Sequence, residues 1–218
     1  MFWTVRARRE MRAAWLVSLR LVTLLTASSP VCRRPLRFQD CGLELLCDLA
    51  MVDALLRFTS TAAVTLHAKD EPVFVSDVTV PDLELTLTWI ADHGGAELAD
   101  RLRGYLADGR LSIDAHSFYT SPLPFWQLPK DLAAIYQAHA MVFLKDDANY
   151  RRLLGDLHWP FDTPFATVAG YFPAPVCALR TLKSGVCCGV PRALEDQARL
   201  DSESWCVSGK FGVIQFKR

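Results

Sequence analysis

The stretch Ala140-Met141-Val142-Phe143-Leu144-Lys145-Asp146-Asp147-Ala148-Asn149-Tyr150-Arg151-Arg152 decides the fold. Its short apolar run reads as a buried strand that ends abruptly in acids, an amide and bases. The polar cluster therefore stands at the strand's carboxyl end, the edge at which open α/β sheets bind ligands. Outward from it, apolar runs alternate with segments of helical spacing. Strands are expected at Pro35–Phe38, Ala62–Ala68, Val73–Val75, Val176–Leu179, Val186–Val190 and Gly212–Phe216. Helices are expected at Leu43–Arg57, Asp82–Ala91, Gly95–Ala107 and Leu132–His139. The first of these carries Leu45, Leu46, Leu49, Val52, Leu55 and Leu56 at helical intervals. Ile113–Pro129, rich in Pro, Ser and aromatics, reads as an ordered loop. The alternation predicts an α/β fold, three α/β/α layers around a largely parallel sheet, with one domain over residues 36–218.

Composition narrows the function classes. Apolar residues make up 51% of the 218, enough for a sizeable core. Lys plus Arg and Asp plus Glu balance at 24 each, so nothing suggests a nucleic-acid surface. No apolar segment approaches the ~20 uninterrupted residues of a membrane span. Seven cysteines, with no C-x-x-C pair, favour neither a disulfide framework nor a zinc site. Cys177, Cys187 and Cys188 lie in apolar runs and read as core residues, which suits a reducing, cytoplasmic compartment. The amino-terminal segment, residues 1–35, is atypical. Arg6, Arg8, Arg9 and Arg12 precede the apolar Ala13–Leu25 in the manner of a signal peptide, but Arg20 interrupts the run. The alternative is a replaced amino terminus.

Four polar clusters follow expected strands: Gln39-Asp40, Ser76-Asp77, Asp146-Asp147 with Asn149 and Arg151, and Arg180-Thr181-Leu182-Lys183. In a parallel sheet these strand ends share one edge. Carboxylates from Asp40 and Asp77 suit a divalent cation such as Mg²⁺ or Mn²⁺. Arg151, Arg180 and Lys183 suit a phosphate or other anion. Each piece has a plainer alternative as a helix cap, a turn or a solvated charge. His67, His93, His116, His139 and His158 show no metal-ligand spacing, and there is no G-x-S-x-G elbow or Walker loop. Asp92-His93-Gly94-Gly95 reads as a helix stop.

Several ordered motifs resemble the damage-control phosphatase family. They are Phe74–Thr79, Lys145–Arg152, Arg180–Lys183 and the ending Ser208–Phe216. More narrowly, the chain is similar to the third subfamily, the sugar-phosphate phosphatase and acidic-residue methyltransferase-like proteins, whose R-T-x-K motif stands here as Arg180–Lys183. The resemblance implies a metal-dependent phosphomonoester hydrolase, using Mn²⁺, Ni²⁺, Co²⁺ or Mg²⁺ on small sugar phosphates such as fructose 1-phosphate or fructose 6-phosphate. It implies metal ligation by Gln39, Asp40 and Asp77, with Asp40 and Asp77 as the catalytic pair. It implies substrate binding by Glu44, Asp147, Asn149, Tyr150, Arg151, Arg180 and Lys183. In the methyltransferase interpretation, Glu44 and Asp77 contact S-adenosylmethionine.

Two departures bear on that expectation. The family's D-N pair falls on Gln39-Asp40, which trades a carboxylate for an amide at one position and the reverse at the next. Family members also usually carry a substantial helical region before this strand, where this chain has some 35 unrelated residues. A degenerate, non-catalytic remnant and a carboxyl methyltransferase are therefore the alternatives to a phosphatase.

Overall fold

The computed structural model of the protein describes residues 3–6, 32–37, 43–73 and 77–218. In chain order these form β1 (Trp3–Arg6), β2 (Cys32–Arg37), α1 (Leu43–Phe58), β3 (Thr61–Ala68), α2 (Val80–Ile90), α3 (Ala96–Ala107), β4 (Leu111–Ala115), α4 (Lys130–Gln137), β5 (Val142–Lys145), α5 (Asp147–Leu154), the single turn α6 (Phe165–Val168), β6 (Val176–Thr181), α7 (Arg192–Asp201) and β7 (Phe211–Lys217). The fold is mixed α/β, as the alternation of patterns predicts. No helix among the described residues is long and apolar enough to cross a membrane. The possible signal segment lies almost wholly outside the described residues, as do Gln39, Asp40 and the expected strand residues Phe74 and Val75.

The elements fall into two compact units. One runs to Ser121 and adds Ala138–Ala140. In it β2, β3 and β4 are parallel neighbours, with Leu66 opposite Leu36 on one side and Ile113 on the other. α1 buries Leu45, Leu49, Val52 and Leu55, the spacing that marks it as a helix in the sequence. α2 and α3 bury Leu83, Leu87 and Ile90, and Ala99, Leu102 and Tyr105. Between them the expected stop is present. Gly94 sits at φ +89°, where a side chain would be strained, and the chain turns there.

A carboxylate ties α1 to α3. Asp53 accepts hydrogen bonds from Arg101 Nε at 3.0 Å and Nη2 at 2.9 Å, and from the Tyr105 hydroxyl at 3.1 Å. Arg57 on its own helix stands 3.5 Å away. Three donors around a buried carboxylate compensate its loss of water.

The second unit comprises Pro122–Gln137 and Met141–Arg218, together with β1. β5 and β6 are parallel, whereas β7 runs antiparallel to β6, and β1 antiparallel to β7. Val142, Phe143 and Leu144 are fully buried, as are Val176 and Ala178, which is why these strands read as unbroken apolar runs rather than alternating ones. Phe125, Tyr136 and Phe172 pack ring to ring beside them.

The structure corrects the sequence reading in four places. Val186–Val190 is buried but is not a strand. Gly189 takes φ +67°, and the segment's N–H groups at Gly189 and Val190 donate to the Thr163 and Phe161 carbonyls instead of to a neighbouring strand. An apolar run reports burial, not pairing. Conversely, the expected loop at Ile113 begins inside β4, whose short edge position leaves a weak pattern. The helices α5 and α7 lie in polar segments that carry too few apolar residues to announce a helix.

Burial alone pushes the Asp53 carboxyl up, but the hydrogen bonds from Arg101 and Tyr105 and the charges of Arg101 and Arg57 outweigh it and hold the group below its ordinary value. A carboxyl depressed in the folded state contributes stability above the unfolded pKa, about 3.9, and loses it as pH falls through the folded value. We expect Asp53→Asn to lower stability at pH 7 by about 2 kcal/mol. The loss should shrink as pH falls through the folded value, where the wild-type group is also protonated. Urea unfolding at pH 7 and at successively lower pH checks this.

Candidate functional site

The carboxyl ends of β5 and β6 carry the polar groups that the sequence singles out in the second unit. The ladder extends one residue beyond β5, where Asp146 N–H donates to the Leu179 carbonyl at 3.0 Å. There the chain turns sharply into α5. Asp146 caps the helix, its Oδ2 accepting from Ala148 N–H at 3.3 Å, while its backbone stands at φ 83°, ψ 165°. This is a region that only glycine enters cheaply. The turn places Asp147 in the first helical turn beside β6.

Asp147 meets Arg180, whose side chain is completely buried. Asp147 Oδ1 accepts from Arg180 Nε at 2.8 Å and lies 2.6 Å from Nη2. Nη1 donates to the Val186 carbonyl, and Nη2 to Ser184 Oγ at 2.7 Å. The guanidinium also lies over the Tyr150 ring, 4.7 Å from its centre. Arg180 thus spends its donors inside the protein, organising α5, β6 and residues 184–186. Arg151 faces outward, with 43% of its side chain exposed. Arg151 pairs bidentately with Asp156 at 2.6 and 2.8 Å and lies 3.9 Å from Asp147. That pairing holds the Asp156 carboxyl below its ordinary range. Lys183, two residues beyond β6, is exposed.

Asn149 and Tyr150 point inward. Asn149 is fully buried. Its Nδ2 donates to the Lys145 carbonyl at 2.8 Å, but Oδ1 has no hydrogen-bond partner among the described residues. A buried amide oxygen left this way costs about 1–3 kcal/mol unless a further group satisfies it. The Tyr150 hydroxyl donates to Gln215 Oε1 at 2.7 Å, and Gln215 Nε2 donates to the Cys188 carbonyl at 2.6 Å. Burial lifts the Tyr150 phenol well above its ordinary value, so it stays neutral. Burial likewise pushes the thiols of Cys177 and Cys188 up to about 12, which leaves them protonated and unsuited to nucleophilic or metal-binding roles.

In the first unit, the corresponding strand end is that of β3. Lys69 follows its last residue, and Asp77 returns beside it, with Lys69 N–H donating to the Val78 carbonyl at 2.9 Å. Lys69 Nζ donates to Asp77 Oδ2 at 2.6 Å, and Val73 N–H donates to the same oxygen at 2.8 Å. Both side chains are 3% exposed. Glu44 lies exposed in the first turn of α1, where its charge complements the helix dipole. No group of three or more His, Cys, Asp or Glu that could hold a metal occurs among the described residues. Asp77 alone does not build such a site, and its Oδ2 is already engaged by two donors.

Sequence reasoning passed over Lys69, Asp156, Ser184 and Gln215. The strand-end rule that singles out Asp77 applies equally to Lys69, which directly follows the apolar β3. The other three carry no local signal, since their partners lie far away or across a turn.

The chain was compared with known proteins. The damage-control phosphatase ARMT1-like domain family matches residues 38–198. Damage-control phosphatase ARMT1 of Rattus norvegicus is 35% identical over 202 residues, covering 88% of this chain and 45% of the relative. The protein of the same name from Xenopus laevis is 34% identical over 188 residues, covering 81% of this chain and 42% of the relative. The chain thus spans about half the length of the curated relatives it matches. Among solved structures, a DUF89 family protein from Pyrococcus horikoshii aligns with a TM-score of 0.45 at 13% identity, covering 76% of this chain and 44% of that one.

The backbone of Asp146 offers a check on the turn that presents Asp147. Asp146→Gly should relieve the strain at φ 83° and raise stability by about 1 kcal/mol, after the few tenths lost with the Ala148 cap. A lower denaturant midpoint in the variant would contradict this geometry.

Proposed function

Because the chain belongs to the damage-control phosphatase ARMT1-like domain family, we propose that it is a metal-dependent phosphatase of small sugar phosphates such as fructose 1-phosphate or fructose 6-phosphate. The observation that carries this reading is the ordered chain of charges at the ends of β5 and β6. Buried Arg180 fixes Asp147, and half-exposed Arg151 stands within 3.9 Å of Asp147 at the surface.

The roles follow from that arrangement. Arg180 is a positioning residue: it ties the first turn of α5 to β6 through Asp147. Arg151 and Lys183 present positive charge to the phosphoryl oxygens, on which negative charge accumulates during transfer. Asp156 holds the Arg151 guanidinium in place before substrate arrives, so little ordering remains for the bound state. Asp147 orients the sugar phosphate, and fully buried Asn149 supports it from the end of β5 through the Lys145 carbonyl. Tyr150 supports the site from below through Gln215. We assign the cofactor as a divalent cation, Mn²⁺, Ni²⁺, Co²⁺ or Mg²⁺, by family resemblance, with Asp77 and the Gln39-Asp40 pair as its ligands. When bound, such an ion would supply Lewis-acid chemistry.

A second reading, a non-catalytic remnant, draws on the engaged state of Asp77 Oδ2 and on Gln39 in place of a carboxylate. Release of inorganic phosphate separates the two. With added Mn²⁺, Co²⁺, Ni²⁺ or Mg²⁺, the folded chain should hydrolyse at least one member of a sugar-phosphate panel, and a chelator should abolish the activity. Arg151→Ala and Lys183→Ala should each lower kcat/KM by about 10²-fold, as for loss of one group stabilising transition-state charge. No release with any of the four metals sinks the phosphatase reading and leaves the remnant.

A further inference from the structure

An aromatic surface stands beside the Arg151–Asp156 pair and has no part in the roles assigned above. We infer that the indole of Trp126 is the platform on which the sugar ring of a sugar phosphate rests while Arg151 holds its phosphate. The inference rests on the reading of Arg151 as a phosphate-binding cation, and adds the residue that selects a sugar among phosphate monoesters.

Three observations support it. The first is register. Asp147, Arg151 and Gly155 follow one another at intervals of four, so they lie in one row along α5 and its cap. Gly155 closes the helix at φ 72°, its N–H donating to the Arg151 carbonyl. The Asp156 N–H donates to the same carbonyl at 2.7 Å, which folds the turn back and brings the Asp156 carboxylate onto the Arg151 guanidinium.

The second is contact. A side-chain carbon on Gly155 would collide with the six-membered ring of Trp126, so the indole lies directly on the glycine backbone. The row therefore runs acid, cation, indole, with about 6 Å along the helix axis from Arg151 to Gly155. A hexose phosphate covers such a step from its phosphorus to its ring.

The third is rigidity combined with exposure. Trp126 belongs to the short turn Phe125–Gln127, which is fastened to α5 on both sides of the indole. Arg152 Nε donates to the Leu123 carbonyl at 2.7 Å, and its guanidinium lies over the Phe125 ring, 5.1 Å from the centre. The Tyr171 hydroxyl donates to the Leu153 carbonyl at 2.7 Å, and the Tyr171 ring meets the indole edge to face at 6.0 Å. Even so, 49% of Trp126 and 39% of Tyr171 stay exposed. An aromatic group fixed in this way loses little freedom when a ligand covers it.

The chemistry suits a sugar. One face of a sugar ring is a patch of C–H groups, and the face of an indole carries the negative part of its quadrupole, so the two attract as water leaves both. The ring hydroxyls stay at the rim, in solvent. A phosphate monoester without a ring meets only the cations and gains nothing from the indole.

The test is calorimetry in EDTA, so that no metal enters the readout, with circular dichroism melts to verify folding. The ligands are fructose 1-phosphate and glycerol 3-phosphate, a monoester without a ring. The unaltered chain should bind fructose 1-phosphate the more tightly. Trp126→Ala should raise that Kd about tenfold and leave glycerol 3-phosphate unchanged, while Trp126→Phe keeps part of the preference. A preference that persists in Trp126→Ala overturns the inference. So does equal weakening of both ligands, which makes the indole a prop for the Gly155 turn. Binding of neither ligand to the folded unaltered chain overturns it as well, and phosphate release in the metal-supplemented assay then decides separately whether the phosphatase reading stands. If Trp126→Ala does not fold, saturation-transfer NMR on the unaltered chain, with the aromatic protons irradiated, takes its place. Saturation should reach the ring C–H protons of fructose 1-phosphate more strongly than the methylene beside its phosphate. Even or absent transfer refutes the stack.

Discussion

A guanidinium cannot be stripped of water without replacement partners, and the second unit is arranged around that constraint at Arg180. The side chain is fully buried, and every structural feature near it supplies something it needs. α5 brings the Asp147 carboxylate, residues 184–186 bring a hydroxyl and two carbonyls, and Tyr150 brings the face of its ring. Desolvating an ion unpaired costs several kcal/mol, so these partners are required, not incidental. The same requirement explains why residues 186–190 leave the sheet although they are as apolar as a strand. Their carbonyls face inward, toward Arg180 and Gln215, instead of along a ladder.

The first unit solves a similar problem with different chemistry. Lys69 and Asp77 are buried at the carboxyl end of a parallel strand, and each compensates the other. A lysine offers a compact charge on a long flexible stem, whereas the arginine offers a rigid fork that binds several partners at once. Arg180 is consequently part of the scaffold, with its donors distributed over three segments. Lys69 donates to the Asp77 carboxylate from a single ammonium. This difference is why Arg180 reads as a positioning group. In both units the carboxyl end of a parallel strand collects ionisable groups, because there the ladder stops and the next connection begins.

Much of this was legible in the residues. The helices α1 to α4 and the strand β3 follow from periodicity, since a buried face imposes its spacing on the chain, and β5 and β6 follow from unbroken apolar runs. Polar groups at strand ends were legible too, because apolar runs ended abruptly at Asp146 and beside Arg180. What escaped was anything set by a partner distant in sequence. Asp156 pairs with Arg151 only because Gly155 and Asp156 turn the chain back after α5, both at positive φ. Gln215 finds Tyr150 only because β7 runs antiparallel against β6, a direction that no pattern within β7 encodes. The short helices α5 and α7 escaped because helix formation there is driven by packing and capping more than by an apolar stripe.

By itself, then, the sequence determined the α/β class, the core of α1 and the central strands, and which segments carry the polar chemistry. Burial is a property that each residue expresses locally, through its own apolar surface and its spacing from the next, so it can be read from one chain. Only the tertiary structure decided which charges neutralise one another: Arg180 with Asp147, Arg151 with Asp156, Lys69 with Asp77. Pairing is a property of separation and dielectric, and both are set when distant segments pack. The sequence places a cation and an acid near the end of a strand, but it does not say whether the cation waits for a ligand or already holds a neighbour.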